Sequence, residues 1–397
     1  MAIVPIALRE ARLRREIRAH FRSLGFTKGL DGTLLPPCLD KDGYRQIHEH
    51  QRQERLISER RFLEDRSAPL LEHFANGRDI DVGRVAIRMI PIAHTTWQSD
   101  LFRLATLLWS VPVSMGFGRR LRYLIWDDYH DKLVGLLALG DPVFNLRARD
   151  AHIGWSVTDR ETRLVHLLDG YVVGAMPPYN RILGGKLVAC LMRTREVADE
   201  FRKRYGSSEG IISGAERNAH LVAVTTTSAL GRSSLYNRLR LEGVSYLESI
   251  GYTGGFGHFH FPQALFDDMR SYLRYRKDMY AANHRFGHGP NWKFRAIRRT
   301  LALLGLNPDL LKHGFSREVF IGRLADNALE VLKGTRKRPK YTSLRPAAEV
   351  AELALRRWVR PRAARDLSYR EHTRAQLLRQ INGIVEPRPR VRKRRRG

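Results

Sequence analysis

The sequence predicts an α/β protein: a mixed sheet flanked by helices, with a basic helical region before it and a basic α+β region after it. Three observations carry this. Short apolar runs bounded by turn residues recur from about residue 80 and read as strands. Amphipathic runs with apolar residues at helical spacing lie between them. Basic residues crowd both ends of a 397-residue chain that carries 70 Lys and Arg against 41 Asp and Glu, a net charge of +29. The expected divisions are a helical basic region (1–78), an α/β core (79–283), a basic α+β region (284–386) and a disordered basic tail (387–397).

In the first region Leu8, Leu13, Ile17, Phe21 and Leu24 recur at roughly helical spacing, while Arg9, Arg12, Arg15 and Arg22 take much of the other face. A Gly-Pro-rich break from Gly29 to Pro37 precedes a second charged helical pattern, HEHQRQERLISERRFLED. VAIRMIPI (85–92), RLRYLIWDD (120–128) and LVGLLALGD (133–141) then read as strands, with LFRLATLLW (101–109) a helix between the first two. HIGWS (152–156) and LVHLLDGYVVGAM (164–176) are strand-like. One long helix is expected from about Leu183 to Gly206. HLVAVTTTS (220–228) is the next strand, SLYNRLRL a short helix, VSYLESIGYT a further strand and FPQALFDDMRSYLRYRKDMY (261–280) a helix. Beyond it WKFRAIRRTLALLGL reads as a helix, REVFIGRLA as a strand and DNALEVLKG as a helix. The terminus PRPRVRKRRRG cannot bury a core and reads as an arm that follows a polyanion's surface.

Composition narrows the function. No run approaches the ~18 apolar residues of a membrane span, and the first residues lack an apolar stretch followed by a small-residue cleavage site. Cys38 and Cys190 lie far apart without CxxC spacing, which argues against a disulfide framework or cysteine zinc site and fits a reducing cytoplasm. The expected location is therefore cytoplasmic, with no membrane partner. A high-GC genome would explain Arg in place of Lys, but not the surplus of cations. The polyanion most available to such a protein is nucleic acid, and DNA is the expected partner.

The richest block runs from Thr225 to His260. Its hydroxyls, arginine and paired histidines sit beside flexible glycine backbone, the parts from which a phosphate- or acyl-handling site is built. Thr226, Arg232, Ser233, Ser234 and Asn237 are candidate nucleic-acid contacts, and Tyr236 a candidate nucleophile or general acid. Ser233 and Ser234 have the alternative of capping a helix. His258 and His260 alternate on one strand face if the segment is extended, which suits a divalent metal such as Mg²⁺ or Mn²⁺. Their spacing is that of the H-hydrophobic-H motif of HUH nickases and transposases, in which a helical tyrosine attacks DNA; Tyr272 and Tyr275 lie on the helix that follows. Two acid-free stretches add further candidates for phosphate contact: Lys293, Arg295, Arg298 and Arg299 in one, Arg336, Lys337 and Arg338 in the other. Asp127, Asp128, Asp141 and Asp150 flank strands, where surface aspartates and a two-metal site are both open readings.

The turn Tyr179–Lys186 opens the long helix with Gly184 and Gly185. It resembles the R/Q-x-x-G-x-G/A turn that grips the coenzyme A pyrophosphate in GNAT acyltransferases. Arg181 and Gly184 match, but Lys186 stands at the last small position, which argues against coenzyme A as a cofactor. Arg181, Gly184, Gly185 and Lys186 are nonetheless the candidate cofactor residues. The order of elements from 120 to 255 is also GNAT-like: strands, a glycine-started helix, a strand, and a short Tyr-bearing helix leading to a G-Y segment.

Longer segments carry a second resemblance. GLLALGDPVFNLRARDAHIGWS, PPYNRILGGKLVACLMRTREV, TTTSALGRSSLYNRL, IGYTGGFGHFHFPQALFDDMR and GPNWKFRAIRRTLALLGL together resemble the DruA family over about residues 95–360. That family takes its name from a component of the Druantia anti-phage defence system, and related proteins occur in mobile elements. The resemblance implies a DNA-directed role in defence or transposition and supplies no chemical mechanism; strand cleavage or transfer, with Tyr236 or Tyr272 and Tyr275 as nucleophile, is the activity the candidate residues would allow. The resemblance also implies a second copy of the chain or other defence or transposition proteins as partners. A GNAT-type acyltransferase and a non-catalytic architectural DNA-binding protein are the alternatives.

Overall fold

The computed structural model describes residues 6–30, 34–35, 37, 40–93, 96–113, 118–209, 216–255, 261–282, 290–311 and 315–385. The chain forms two units, Met1–Glu54 with Thr253–Arg317, and Arg55–Tyr252 with Glu318–Gly397.

The larger unit is built on seven strands: β1 (Ile87–Pro91), β2 (Arg120–Asp127), β3 (Lys132–Gly140), β4 (Leu167–Ala175), β5 (Ala223–Thr227), β6 (Glu248–Tyr252) and β7 (Glu318–Arg323). Their order across the sheet is β6-β7-β5-β4-β3-β2-β1. Every neighbouring pair is antiparallel except β4 and β5, which run parallel from Leu167 and Ala223. A parallel pair cannot be joined by a hairpin, and the helices Gly184–Leu191 and Arg195–Tyr205 supply the crossover. β2 shows why the sheet lies in the middle of the unit. Leu121, Tyr123 and Ile125 point into a core shared with Leu187, Leu191 and Phe201, whereas Leu124 and Trp126 point into one shared with Leu63, Leu101 and Leu104. Both faces are covered, so the strand reads as an apolar run with little alternation.

The element order is the one expected, including the glycine-started helix and the G-Y strand β6. Three local readings change. HIGWS is not a strand: the helix Arg147–Ile153 ends there, and Gly154 takes the left-handed conformation (φ +83) that closes it. The long helix is two, broken at residues 192–194. Arg193 is buried there and donates to the carbonyls of Arg323 and Ser343 and to the Ser343 hydroxyl, and Thr194 is extended. SLYNRLRL is not a helix but a run of turns over 234–238, with Arg238 at φ +62, followed by the short strand Arg240–Leu241. The strand in REVFIGRLA is β7, between β5 and β6, so the sheet draws on residues from both sides of the 283/284 boundary.

The smaller unit is helical. Ile6–Ser23, Gln263–Tyr275 and Pro290–Leu303 contribute Ile17, Phe21, Phe266, Met269, Ile297 and Leu301 to one core. Its C-terminal part, 253–317, occupies the connection between β6 and β7. The unit carries 21 Lys and Arg against 11 Asp and Glu. Among the described residues no helix is long and apolar enough to cross a membrane.

Candidate nucleic-acid interface

The Thr225–Tyr252 block is organised by a residue that sequence reasoning passed over. Glu318 opens β7 and is 4% exposed. Its carboxylate accepts from the Ser233 amide (2.9 Å), the Asn237 side-chain amide (3.1 Å) and the Ser249 hydroxyl (2.9 Å). Its own amide donates to the Gly231 carbonyl, and its carbonyl accepts from the Ser228 amide. A buried carboxylate needs several donors, and the turn 228–237 is folded to supply them. The Ser233 hydroxyl in turn accepts from the amides of Leu235 and Tyr236. Nothing in the local pattern of REVFIGRLA distinguishes this glutamate from an exposed one; the donors are about 70 to 85 positions away in sequence.

The block's hydroxyls therefore face inward. Thr226 is buried with its hydroxyl on the Gly170 carbonyl, and Ser233 and Asn237 hold the turn. Arg232 and Ser234 are the members that reach the surface. Tyr236 is buried against Phe320, its hydroxyl donates to the Val173 carbonyl at 3.3 Å, and burial pushes its pKa up to about 12. That setting disfavours the phenolate a nucleophile needs.

Tyr236 also bears on the acyltransferase-like turn. β4 and β5 pair up to Gly170 and Thr226, and Val173, which accepts from Tyr236, lies three residues past the last pair. The glycines of the turn are closely packed: a Cβ on Gly184 would stand 2.7 Å from the Tyr179 carbonyl oxygen, and one on Gly185 2.7 Å from Leu235. Lys186 lies over the Trp358 ring at 5.4 Å, and burial, with Arg357 and Arg238 adding to it, pulls its ammonium below the usual pKa. Arg181 is exposed and reaches the Ser368 carbonyl at 3.5 Å. The glycines thus admit neighbouring protein at close range.

The aspartates divide by role. Asp127 is buried and accepts from the amides of Ala86 and Tyr129, the Tyr179 hydroxyl and His130. His130 Nε2 accepts from the Asp81 amide (2.9 Å), so Nδ1 carries the proton toward Asp127. With both nitrogens engaged by protein, this Asp–His pair ties a hairpin and offers no free base. Asp150 holds the fully buried Arg149 and also Arg160. Asp169, half-buried on β4, accepts from the Thr225 hydroxyl at 2.7 Å, and desolvation raises its pKa to about 6.

Asp169 gives a pH prediction. Its folded pKa lies above the unfolded value of 3.8, so the folded state keeps a proton that the unfolded chain releases first. Stability contributed by this residue is full below about pH 4 and lost as pH rises to about 6. Asp169→Asn keeps an acceptor for Thr225 and has no charge to desolvate. Thermal melts are expected to show it more stable than the parent by about 2 kcal/mol at pH 8, and no more stable at pH 4.

In the helical unit, Tyr272 is buried, donates to Glu10 at 2.7 Å and has its pKa pushed up to about 12 by burial and that partner. Tyr275 is 37% exposed with the Arg9 guanidinium 4.4 Å from its ring centroid. His258 and His260, like the tail, lie outside the described residues. Among the described residues no group of three His, Cys, Asp or Glu side chains is placed to hold a metal.

The helix Pro290–Leu303 separates its faces cleanly. Ala296, Ile297, Thr300 and Leu301 are buried, while Arg298, Arg299 and Ala302 are exposed. Phe294, Arg295, Arg298, Arg299 and Ala302 line an open groove of about 570 Å³. Arg299 pairs with Asp278 at 2.7 Å, and Lys293 donates to Gln263. Arg336, Lys337 and Arg338 are exposed on the larger unit, Arg336 at 3.8 Å from Glu330. The structure thus brings Thr226, Ser233, Tyr236 and Asn237 together as a packed turn, and leaves Arg232, Arg298, Arg299 and Arg336–Arg338 on the surface.

Fold and surfaces together define a mixed α/β protein carrying a basic helical insertion between its last two strands. Residues 38–334 match the family described as Druantia protein DruA. The chain is 51% identical over 368 residues to the Druantia protein DruA of Escherichia coli (strain UMEA 4076-1), a match spanning 93% of this chain and 91% of that protein. It belongs to the DruA family. No solved structure matches it.

Proposed function

We propose that this DruA protein binds DNA in anti-phage defence, with the helix Pro290–Leu303 as its principal grip on phosphates. The observation that carries the reading is the composition of that helix. It has no acidic residue, and it presents Arg295, Arg298 and Arg299 around a groove, with Lys293 on the same helix, while its apolar stripe is buried. Guanidinium groups on a rigid helix suit bidentate contact with phosphate. The surplus of 29 positive charges adds attraction over the whole surface. The exposed basic segment Arg336–Arg338 is a second contact of the same kind. Membership of a family named for a defence system against phage makes DNA the polyanion of choice.

The test is fluorescence anisotropy of labelled duplex and single-stranded DNA with the full chain at low salt, with and without Mg²⁺ or Mn²⁺. Binding without strand scission fits a recognition role. Scission lost in Tyr275→Phe would add a nucleophile to the reading. No binding to either strand form would overturn it.

A further inference from the structure

The larger unit holds a pocket of which the charge reading pointed to Arg338 alone. It lies between the helix Arg195–Tyr205, the chain entering β5, and the segment 338–344, and it encloses about 600 Å³. Pockets of this size hold ligands with the bulk of a nucleotide. Its apolar lining is made by Ala198, Leu221, Pro339, Leu344 and Tyr341. The Tyr341 hydroxyl donates to the Leu221 carbonyl at 3.0 Å, which fixes the ring as a wall. The rest of the lining is polar, with Arg195, Arg202, Arg338, His220 and Asn218 beside Asp199.

Charge decides what the polar lining accepts. The single acid of the lining, Asp199, is spent on Arg202 at 2.6 Å. Arg195 uses Nε on the Leu344 carbonyl (2.8 Å), which orients its guanidinium, and neither it nor Arg338 has an ion-pair partner among the described residues. Lys333, Arg336, Lys337 and Lys340 are exposed in the adjoining segment, with no acid between Lys333 and Lys340. An apolar slot with one aromatic wall takes a base, and unpaired guanidiniums at its rim take a phosphate. We propose that this pocket binds one nucleoside monophosphate unit, the base against Tyr341 and Leu221 and the phosphate on Arg338 and Arg195. The unit is either an unpaired nucleotide of a strand or a free nucleotide. The strand form extends the DNA-binding reading; the free form does not depend on it.

The experiment measures dAMP binding to the full chain by calorimetry, and short oligo-dA binding by anisotropy, for the parent, Arg338→Glu and Ala198→Leu. Arg338 is exposed, so its reversal leaves the fold alone, while Ala198→Leu narrows the slot without removing a charge. Each variant is expected to weaken dAMP at least about tenfold, the loss of one charge-assisted contact or of the space for the base. Parallel losses with oligo-dA, stronger than those with dAMP, assign the site to a strand; losses confined to dAMP assign it to a free nucleotide. Parent binding to neither probe, or both variants binding both probes like the parent, overturns the proposal. Duplex binding impaired by Arg298→Ala, with dAMP binding unchanged, separates the two surfaces.

Discussion

Glu318→Ala is expected to lower the unfolding free energy of the larger unit by about 3–4 kcal/mol, read from urea unfolding followed by tryptophan fluorescence. The substitution removes the acceptor of three donors, the buried Ser233 amide, the half-buried Asn237 side chain and the hydroxyl of Ser249, a residue that water also reaches. Each orphaned buried donor costs on the order of 1 kcal/mol or more, and the lost carboxylate leaves a small cavity. Glu318→Gln keeps one acceptor oxygen but turns an NH₂ toward a donor, so about 1–2 kcal/mol is expected. Because Glu318 joins β7 to the turn after β5 and to β6, the loss will appear in the sheet unit's transition. Both variants unfolding within about 0.5 kcal/mol of the parent would show that the turn is held by something else.

The second large effect is on DNA. Lys293→Ala and Arg298→Ala remove cations from one helix while alanine preserves its helix propensity and the buried stripe Ala296, Ile297, Leu301 stays intact. Each is expected to weaken duplex binding about 3- to 10-fold at low salt and to reduce the magnitude of the salt slope by about 1. The pair together should lose about 10- to 100-fold, roughly additively, because the contacts are electrostatic and sequence-independent. Arg298→Lys, which keeps the charge and loses the fork, falls between parent and alanine. Circular dichroism checks that the helical unit remains folded.

Much of the fold was legible in the sequence, and the reasons differ element by element. β2 and β3 are dense apolar runs, and Gln263–Tyr275 and Pro290–Leu303 are strongly periodic, so period and length identified them. HIGWS misled because its Ile153 and Trp155 are apolar and alternate, yet Gly154 turns the chain and Trp155 donates to the distant Leu332 carbonyl. The break at 192–194 was hidden because Arg193 is held by partners about 130 and 150 positions away. The site followed the same rule. Surface cations such as Arg298 are read directly from charge. Polar residues that look like a site, Thr226, Ser233 and Asn237, are instead satisfied by Gly170 and Glu318, long-range partners that no window of sequence contains. Apart from Arg338, the 338–344 pocket was invisible for the same reason, its walls coming from three separate segments.

The claim that the basic helix grips DNA is tested most directly by the salt dependence of duplex binding by the parent chain. With Lys293, Arg295, Arg298 and Arg299 engaging phosphates, log K is expected to fall linearly with log salt with a slope of about −3 or steeper. A slope near zero, or no binding at low salt, would contradict a phosphate grip and leave the cationic surface to another partner.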